Sequence, residues 1–101
     1  MNITVRALLV SGFNVYPREL EEVLCQHAAV AEAAVIGVPD ERSGSRIKAY
    51  VVARAGAPLD ASTLERHCRA NLAPYKVPRE FLILERMPRT SVGKIDKKLL
   101  G

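Results

Sequence analysis

The chain has 101 residues, enough for one domain with a usable core. Apolar residues make up 49%, the range of a soluble globular chain, and no apolar run approaches the ~20 residues of a membrane span. The formal net charge of +4 favours phosphate-bearing ligands, nucleic acid or an anionic surface as partners.

In chain order, Ile3, Val5, Ala7 and Leu9 alternate with Asn2, Thr4 and Arg6, a period of two that predicts a strand. Met1–Arg6 has no signal-peptide layout, so a cytoplasmic location is expected. Ser11-Gly12 is a turn signal, and Phe13–Val15 returns as the second strand of a hairpin. Pro17 suits a first helical turn, having no N–H to satisfy there. Glu19, Glu21 and Glu22 complement that helix terminus, and Leu20, Val23 and Leu24 form its apolar face. The apolar run Val30–Val38 predicts a buried strand, and Pro39–Ser45 a polar loop. Arg46–Arg54 predicts a strand antiparallel to the previous one, because the connection is short.

Asp60 is a candidate N-cap for the next helix, with a Ser62/Glu65 capping box as the alternative. Leu64, Cys68 and Leu72 supply its inward stripe, and Pro74 stops it. Tyr75–Pro78 reads as a linker, Phe81–Leu84 as a strand, and a stub of helix starts at Asp96. The expected fold is a small α+β domain: a three-stranded sheet with packed helices, preceded by a short N-terminal β-hairpin.

The most informative stretch is Pro88–Leu99, a polar, glycine-containing loop with Lys94 near its tip. Gly93 allows a turn or a close approach to a ligand. Lys94 carries a compact cation on a long stem, suited to a phosphate or carboxylate held elsewhere. Gly93-Lys94 also fits part of a phosphate-binding P-loop, but Pro88 stands where the first glycine belongs and Ile95 where Ser or Thr belongs. Ser11 lacks a Gly-x-Ser-x-Gly frame and a nearby histidine, so a turn role is the better reading. Cys25, Cys68, His27 and His67 lack metal-ligand spacing. Both cysteines fall on or beside apolar stripes and are expected to be buried. Tyr16 and Tyr50 are too sparse for base stacking, and no nucleic-acid motif is present.

Four segments taken together resemble the C-terminal domain of the adenylate-forming superfamily, which includes acyl-CoA synthetases, peptide-synthetase adenylation domains and beetle luciferases. They are Val10–Glu21, Ala33–Glu41, Leu72–Pro78 and Pro88–Lys94, in that order. The wording of Ser11–Pro17 is most similar to bacterial medium- and long-chain fatty acyl-CoA ligases. The resemblance implies a lid that serves two half-reactions, adenylation of a carboxylate by ATP and transfer of the acyl group to CoA. It implies that Lys94 is the adenylation lysine, with Gly93 beside it, and that the Ser11-Gly12 turn lines the CoA tunnel. Residues 1–101 would then be the lid domain, without the large N-terminal domain that binds ATP, Mg2+ and a carboxylic acid, expected to be a fatty acid. Alone, such a chain should be inactive.

The sequence departs from the family pattern in two places. Asn2–Arg6 aligns with the hinge motif and puts Val5 at the hinge position, and Ser45 follows Gly44 where an acidic residue is common. The contrasting reading is a non-catalytic, partner-binding module derived from such a lid. A homodimer through an apolar edge at Ile3–Val10 is a further expectation.

Overall fold

The computed structural model describes residues 7–100. The strand reading at Ile3–Arg6, the hinge position Val5 and that part of the dimer expectation lie outside them. The first element is set by backbone conformation at the Ser11-Gly12 reversal, where φ is 50° at Ser11 and 85° at Gly12. Two successive positive φ values are the pattern of a type I′ turn, whose twist suits a hairpin. Strand β1 (Leu8–Val10) accordingly pairs antiparallel with β2 (Phe13–Val15), Val10 opposite Phe13.

Helix α1 (Pro17–Cys25) starts on Pro17 as expected and buries Leu20 and Leu24 completely. Replacing Leu20 by alanine should cost about 2–5 kcal/mol, the usual range when a buried leucine leaves a cavity. Urea unfolding of the chain measures this, and a loss well below ~1 kcal/mol would mean that this face is not packed in solution.

Strands β3 (Val30–Asp40) and β4 (Gly44–Ala53) form the central antiparallel ladder, from Val30 opposite Ala53 to Asp40 opposite Gly44. The expected loop Pro39–Ser45 thus shrinks to three residues. Pro39 is tolerated in a strand because β3 lies at the edge of the sheet. Strand β5 (Glu80–Leu84) runs parallel to β4 along Lys48–Val52. On the same side, β1 meets β4 at Val10 and Gly44. The sheet therefore has five strands rather than the expected three. The reason is the length of β4: its ten residues offer one whole edge to β3 and divide the other between β5 and the hairpin. This also bears on the dimer expectation. Among the described residues β1 is paired along its length with β2 on one side and meets β4 at Val10 opposite Gly44 on the other.

An irregularity in the register between Val30 and Glu32 leaves Ala31 unpaired and switches the alternation of β3. Val30 then joins Val35 on the first face of the sheet, with Ile47, Ala49 and Val51 of β4. Helix α1 and helix α2 (Ala61–Asn71) cover that face. Asp60 is the N-cap of α2, accepting from the Thr63 N–H at 2.8 Å, and the Ser62/Glu65 alternative is not used. That bond holds the Asp60 carboxyl below its ordinary pKa. The cap therefore contributes above the usual carboxylate range and is lost as pH falls through the depressed value. Leu64 and Cys68 are fully buried, whereas Leu72, at the C-cap, is only half-buried.

The second face is also covered. Ala34, Tyr50 and Val52 pack with Met87, and Ile95 and Leu100 close over them. The chain after β5 thus recrosses the sheet on the side opposite the helices. A sheet buried on both faces explains why Val30–Val38 reads as a nearly continuous apolar run.

Candidate functional site

The Pro88–Leu99 stretch forms a small hairpin standing on the second face of the sheet. Arg89 and Ile95 make its bridge. Inside it the Thr90 N–H donates to the Lys94 carbonyl at 2.7 Å, and the Gly93 N–H to the Thr90 carbonyl at 3.0 Å. Gly93 has φ 88°, a value that lets the turn close at little steric cost only without a Cβ. Below the bridge the Asp96 N–H donates to the Pro88 carbonyl at 2.8 Å. Met87 and Ile95 anchor the two arms in the second core. Lys94 itself is exposed, and its ammonium has no ion-pair or hydrogen-bond partner among the described residues. A cation free of internal partners on a braced loop is available to an external anion.

Side chains from elsewhere brace the hairpin. Arg89 donates to the Gly93 carbonyl at 3.0 Å and pairs with Glu32 of β3. Lys97 pairs with Glu21 of α1 at 2.7 Å and donates to the Val35 carbonyl at 3.1 Å. The same Glu21 oxygen accepts from the Val35 N–H at 2.8 Å. Lys97 and Glu21 thus satisfy both backbone groups that β3 presents at its open edge at Val35, which blunts that edge. Glu19 is likewise engaged, by Lys76 at 2.9 Å. Two of the three carboxylates read as helix-terminus complements therefore hold tertiary contacts, while Glu22 pairs with Arg18 on the helix surface. The stub after Asp96 is a 3-10 turn, Lys97–Leu99, capped by the Asp96 side chain.

Ser11 and Gly12 lie elsewhere. The Ser11 N–H donates at 2.8 Å to the carbonyl of Ser43, in the loop joining β3 to β4. That loop is shaped by Asp40, whose carboxylate accepts from the Arg42 N–H at 2.8 Å and is held below its ordinary pKa by that bond. Next to the turn, Phe13 stacks on Tyr75 with ring centroids 4.6 Å apart. Tyr75 belongs to the 3-10 turn Pro74–Lys76, which replaces the expected linker. Together with Val10, Ser11, Arg46 and Arg79 it lines a shallow cleft of about 150 Å3. A Cβ built on Gly12 would meet nothing within 4 Å, so the space above the turn is open.

The structure does not bring the two motifs together. Ser11 rests on the loop at the Asp40 end of β3, whereas the lysine hairpin is tied to Glu32 near the other end. Strands rise about 3.3 Å per residue, which puts the two anchor points roughly 26 Å apart. Sequence reasoning singled out Ser11, Gly12, Gly93 and Lys94 as candidates and did not single out the braces Arg89, Glu32, Glu21 and Lys97. Their signal is weak, since each is an ordinary charged residue until the fold pairs it.

The histidines serve packing. His67 bonds the Val23 carbonyl at 2.6 Å, tying α2 to α1, and its ring meets His27 edge-on at 5.2 Å between centroids. Burial pushes the Cys68 thiol up to about 11, far from a reactive thiolate. Cys25 is exposed, contrary to expectation, because it ends α1 on the side away from Leu20 and Leu24. Among the described residues no cluster of three or more His, Cys, Asp or Glu could hold a metal ion. No described helix is long and apolar enough to cross a membrane.

Known proteins resemble this arrangement. A long-chain-fatty-acid–CoA ligase of Yersinia pestis is 50% identical over 93 residues, 92% of this chain and 16% of that protein. The corresponding ligase of Bacillus subtilis is 44% identical over 93 residues, again 92% of this chain and 17% of its own length. The crystal structure of ATP-bound MatB from Rhodopseudomonas palustris superposes with a TM-score of 0.88 at 34% identity, covering 93% of this chain and 19% of that one. The chain thus spans less than a fifth of the length of these relatives. Residues 19–94 match the model of the AMP-binding enzyme C-terminal domain, and by that match and these relatives the chain belongs to that family.

Proposed function

We propose that residues 1–101 are the mobile lid domain of a cytoplasmic, ATP-dependent acyl-CoA ligase acting on a carboxylic acid of the fatty-acid class. Its partner is an adenylate-binding domain N-terminal to it. In the first half-reaction a carboxylate oxygen attacks the α-phosphorus of ATP, the bond to the β-phosphate oxygen breaks, and pyrophosphate leaves. Lys94 acts here. Carboxylate and triphosphate repel, and a cation touching both offsets that repulsion and the charge developing at phosphorus. Gly93 supplies the turn that presents it. In the second half-reaction the CoA sulfur attacks the acyl carbon and AMP leaves with the electron pair of the broken C–O bond. Ser11 and Gly12 line the path of the thiol, where the absence of a side chain at Gly12 leaves room. The Mg2+ that accompanies ATP belongs, in this proposal, to the partner domain.

The observation that carries this reading is the separation of the two motifs on one sheet. A rigid body with a free lysine at one end and an open glycine turn at the other serves one active site by presenting each end in turn. The test joins this chain to the large domain of the Bacillus subtilis relative. The joined protein should release pyrophosphate and form acyl-CoA, and the 101-residue chain alone should do neither. Pyrophosphate release by the chain alone, or a folded joined protein no faster than the large domain by itself, would overturn the proposal. The second result would favour a partner-binding module.

A further inference from the structure

The lysine hairpin is short, polar and solvent-facing. Its internal bonds are the bridge of Arg89 with Ile95, the two backbone bonds of the Thr90–Lys94 turn, a bond from the Lys94 N–H to the Thr90 Oγ1, and the Asp96 N–H to Pro88 carbonyl bond below the bridge. Those bonds close the hairpin on itself, but none of them ties its tip to the strands of the sheet. Arg89 changes that. One guanidinium nitrogen donates to the Gly93 carbonyl, the residue immediately before Lys94, at 3.0 Å. The other terminal nitrogen is held by the Glu32 carboxylate. Glu32 sits next to the irregularity at Ala31 in β3, which turns it toward the second face, where Ala34, Met87 and Ile95 pack. The fork of Arg89 thereby links a strand in the body of the domain to the backbone beside the reactive lysine. Lysine could not reproduce this link, because its point charge lacks a planar pair of divergent donors.

We infer that Arg89, held by Glu32, is a positioning residue for adenylation: it fixes the hairpin so that the Lys94 ammonium reaches the reacting phosphate in one geometry. The inference rests on the role proposed for Lys94. Arg89 touches neither substrate nor reacting atoms, and it acts through Gly93.

Two measurements test it. In the joined ligase, Arg89→Ala should slow adenylation by roughly ten- to hundredfold, the scale expected when a catalytic group is misplaced by about an ångström. Acyl transfer to CoA from preformed acyl-adenylate should stay within about twofold. Glu32→Gln should act in the same direction, and Arg89→Lys should fall between alanine and wild type. In a Lys94→Ala background Arg89→Ala should cost little more, since residues acting as one unit are not additive. Arg86, a nearby exposed arginine with no ion pair among the described residues, is the charge control, and Arg86→Ala should leave adenylation unchanged.

The second measurement needs no activity. In the 101-residue chain, Arg89→Ala should speed amide exchange at Thr90 and Gly93 on the order of tenfold while leaving Val35 and Val51 protected. Unchanged exchange at those two amides, or equal slowing of both half-reactions, would overturn the positioning role. If Lys94→Ala itself leaves adenylation intact, the failure belongs to the proposed function. If Lys94→Ala abolishes adenylation and the Arg89 and Glu32 variants do not affect it, the clamp alone is wrong.

Discussion

Replacing Lys94 by alanine in the joined ligase should slow adenylation by on the order of a hundredfold or more, while acyl transfer to CoA from supplied acyl-adenylate stays near the wild-type rate. Removing one preorganised group from developing transition-state charge commonly costs a few kcal/mol of barrier, hence that magnitude. The structure makes the substitution unusually clean. The side chain is exposed and has no partner among the described residues, and the bonds that hold the turn, from the backbone of Thr90, Gly93 and Lys94 and from the Arg89 guanidinium to the Gly93 carbonyl, do not use it. Alanine keeps those backbone bonds, so folding and thermal stability should change little, surface substitutions of this kind being usually within ~0.5 kcal/mol. A rapid-quench comparison of the two half-reactions checks it. Equal loss in both, or a folding defect of the same size, would remove Lys94 from the adenylation step.

Gly12→Leu should show the opposite selectivity: thioester formation slowed at least tenfold, with adenylation little affected. Two effects combine. The φ of 85° at Gly12 lies where L side chains are strained, which costs about 1–2 kcal/mol of local stability. The larger effect is steric. A Cβ at this position meets nothing within 4 Å, so the new side chain starts into the open space where the CoA thiol is proposed to pass. Gly12→Ala separates the two contributions, because it carries the φ strain with one methyl group of bulk. Thioester rates that match wild type in the leucine variant would take Ser11 and Gly12 off the site.

Much of the fold was legible in the residues because the controlling interactions are local. Ser11-Gly12 is a reversal in any context, since the following glycine accepts a positive φ. Pro17 opens a helix, Asp60 caps one, and Leu20/Leu24 and Leu64/Cys68 repeat at helical spacing, and each behaves as read. Of the candidate site, the residues show locally a glycine turn at Ser11-Gly12 and an exposed lysine after Gly93, and the roles proposed for them came from the resemblance of the surrounding motifs.

Tertiary structure decided the rest. No local signal says that β4 shares its second edge between β5 and the hairpin, because strand pairing depends on partners distant in sequence. Nor does any local signal say that the segment after β5 recrosses the sheet and buries Met87 and Ile95, although the apolar run Val30–Val38 carried a trace of it. The braces of the lysine hairpin belong here too. Arg89 and Glu32 are 57 positions apart, and Lys97 meets Val35 across 62. A charge pair at that range is invisible to periodicity and capping rules, since exposed charges satisfy themselves in water until the fold brings them together. By itself the sequence determined which residues can turn, cap, pack and carry charge. Only the folded sheet decided that the lysine and the glycine turn stand at opposite ends, because the length of a strand becomes a distance only once its neighbours hold it straight.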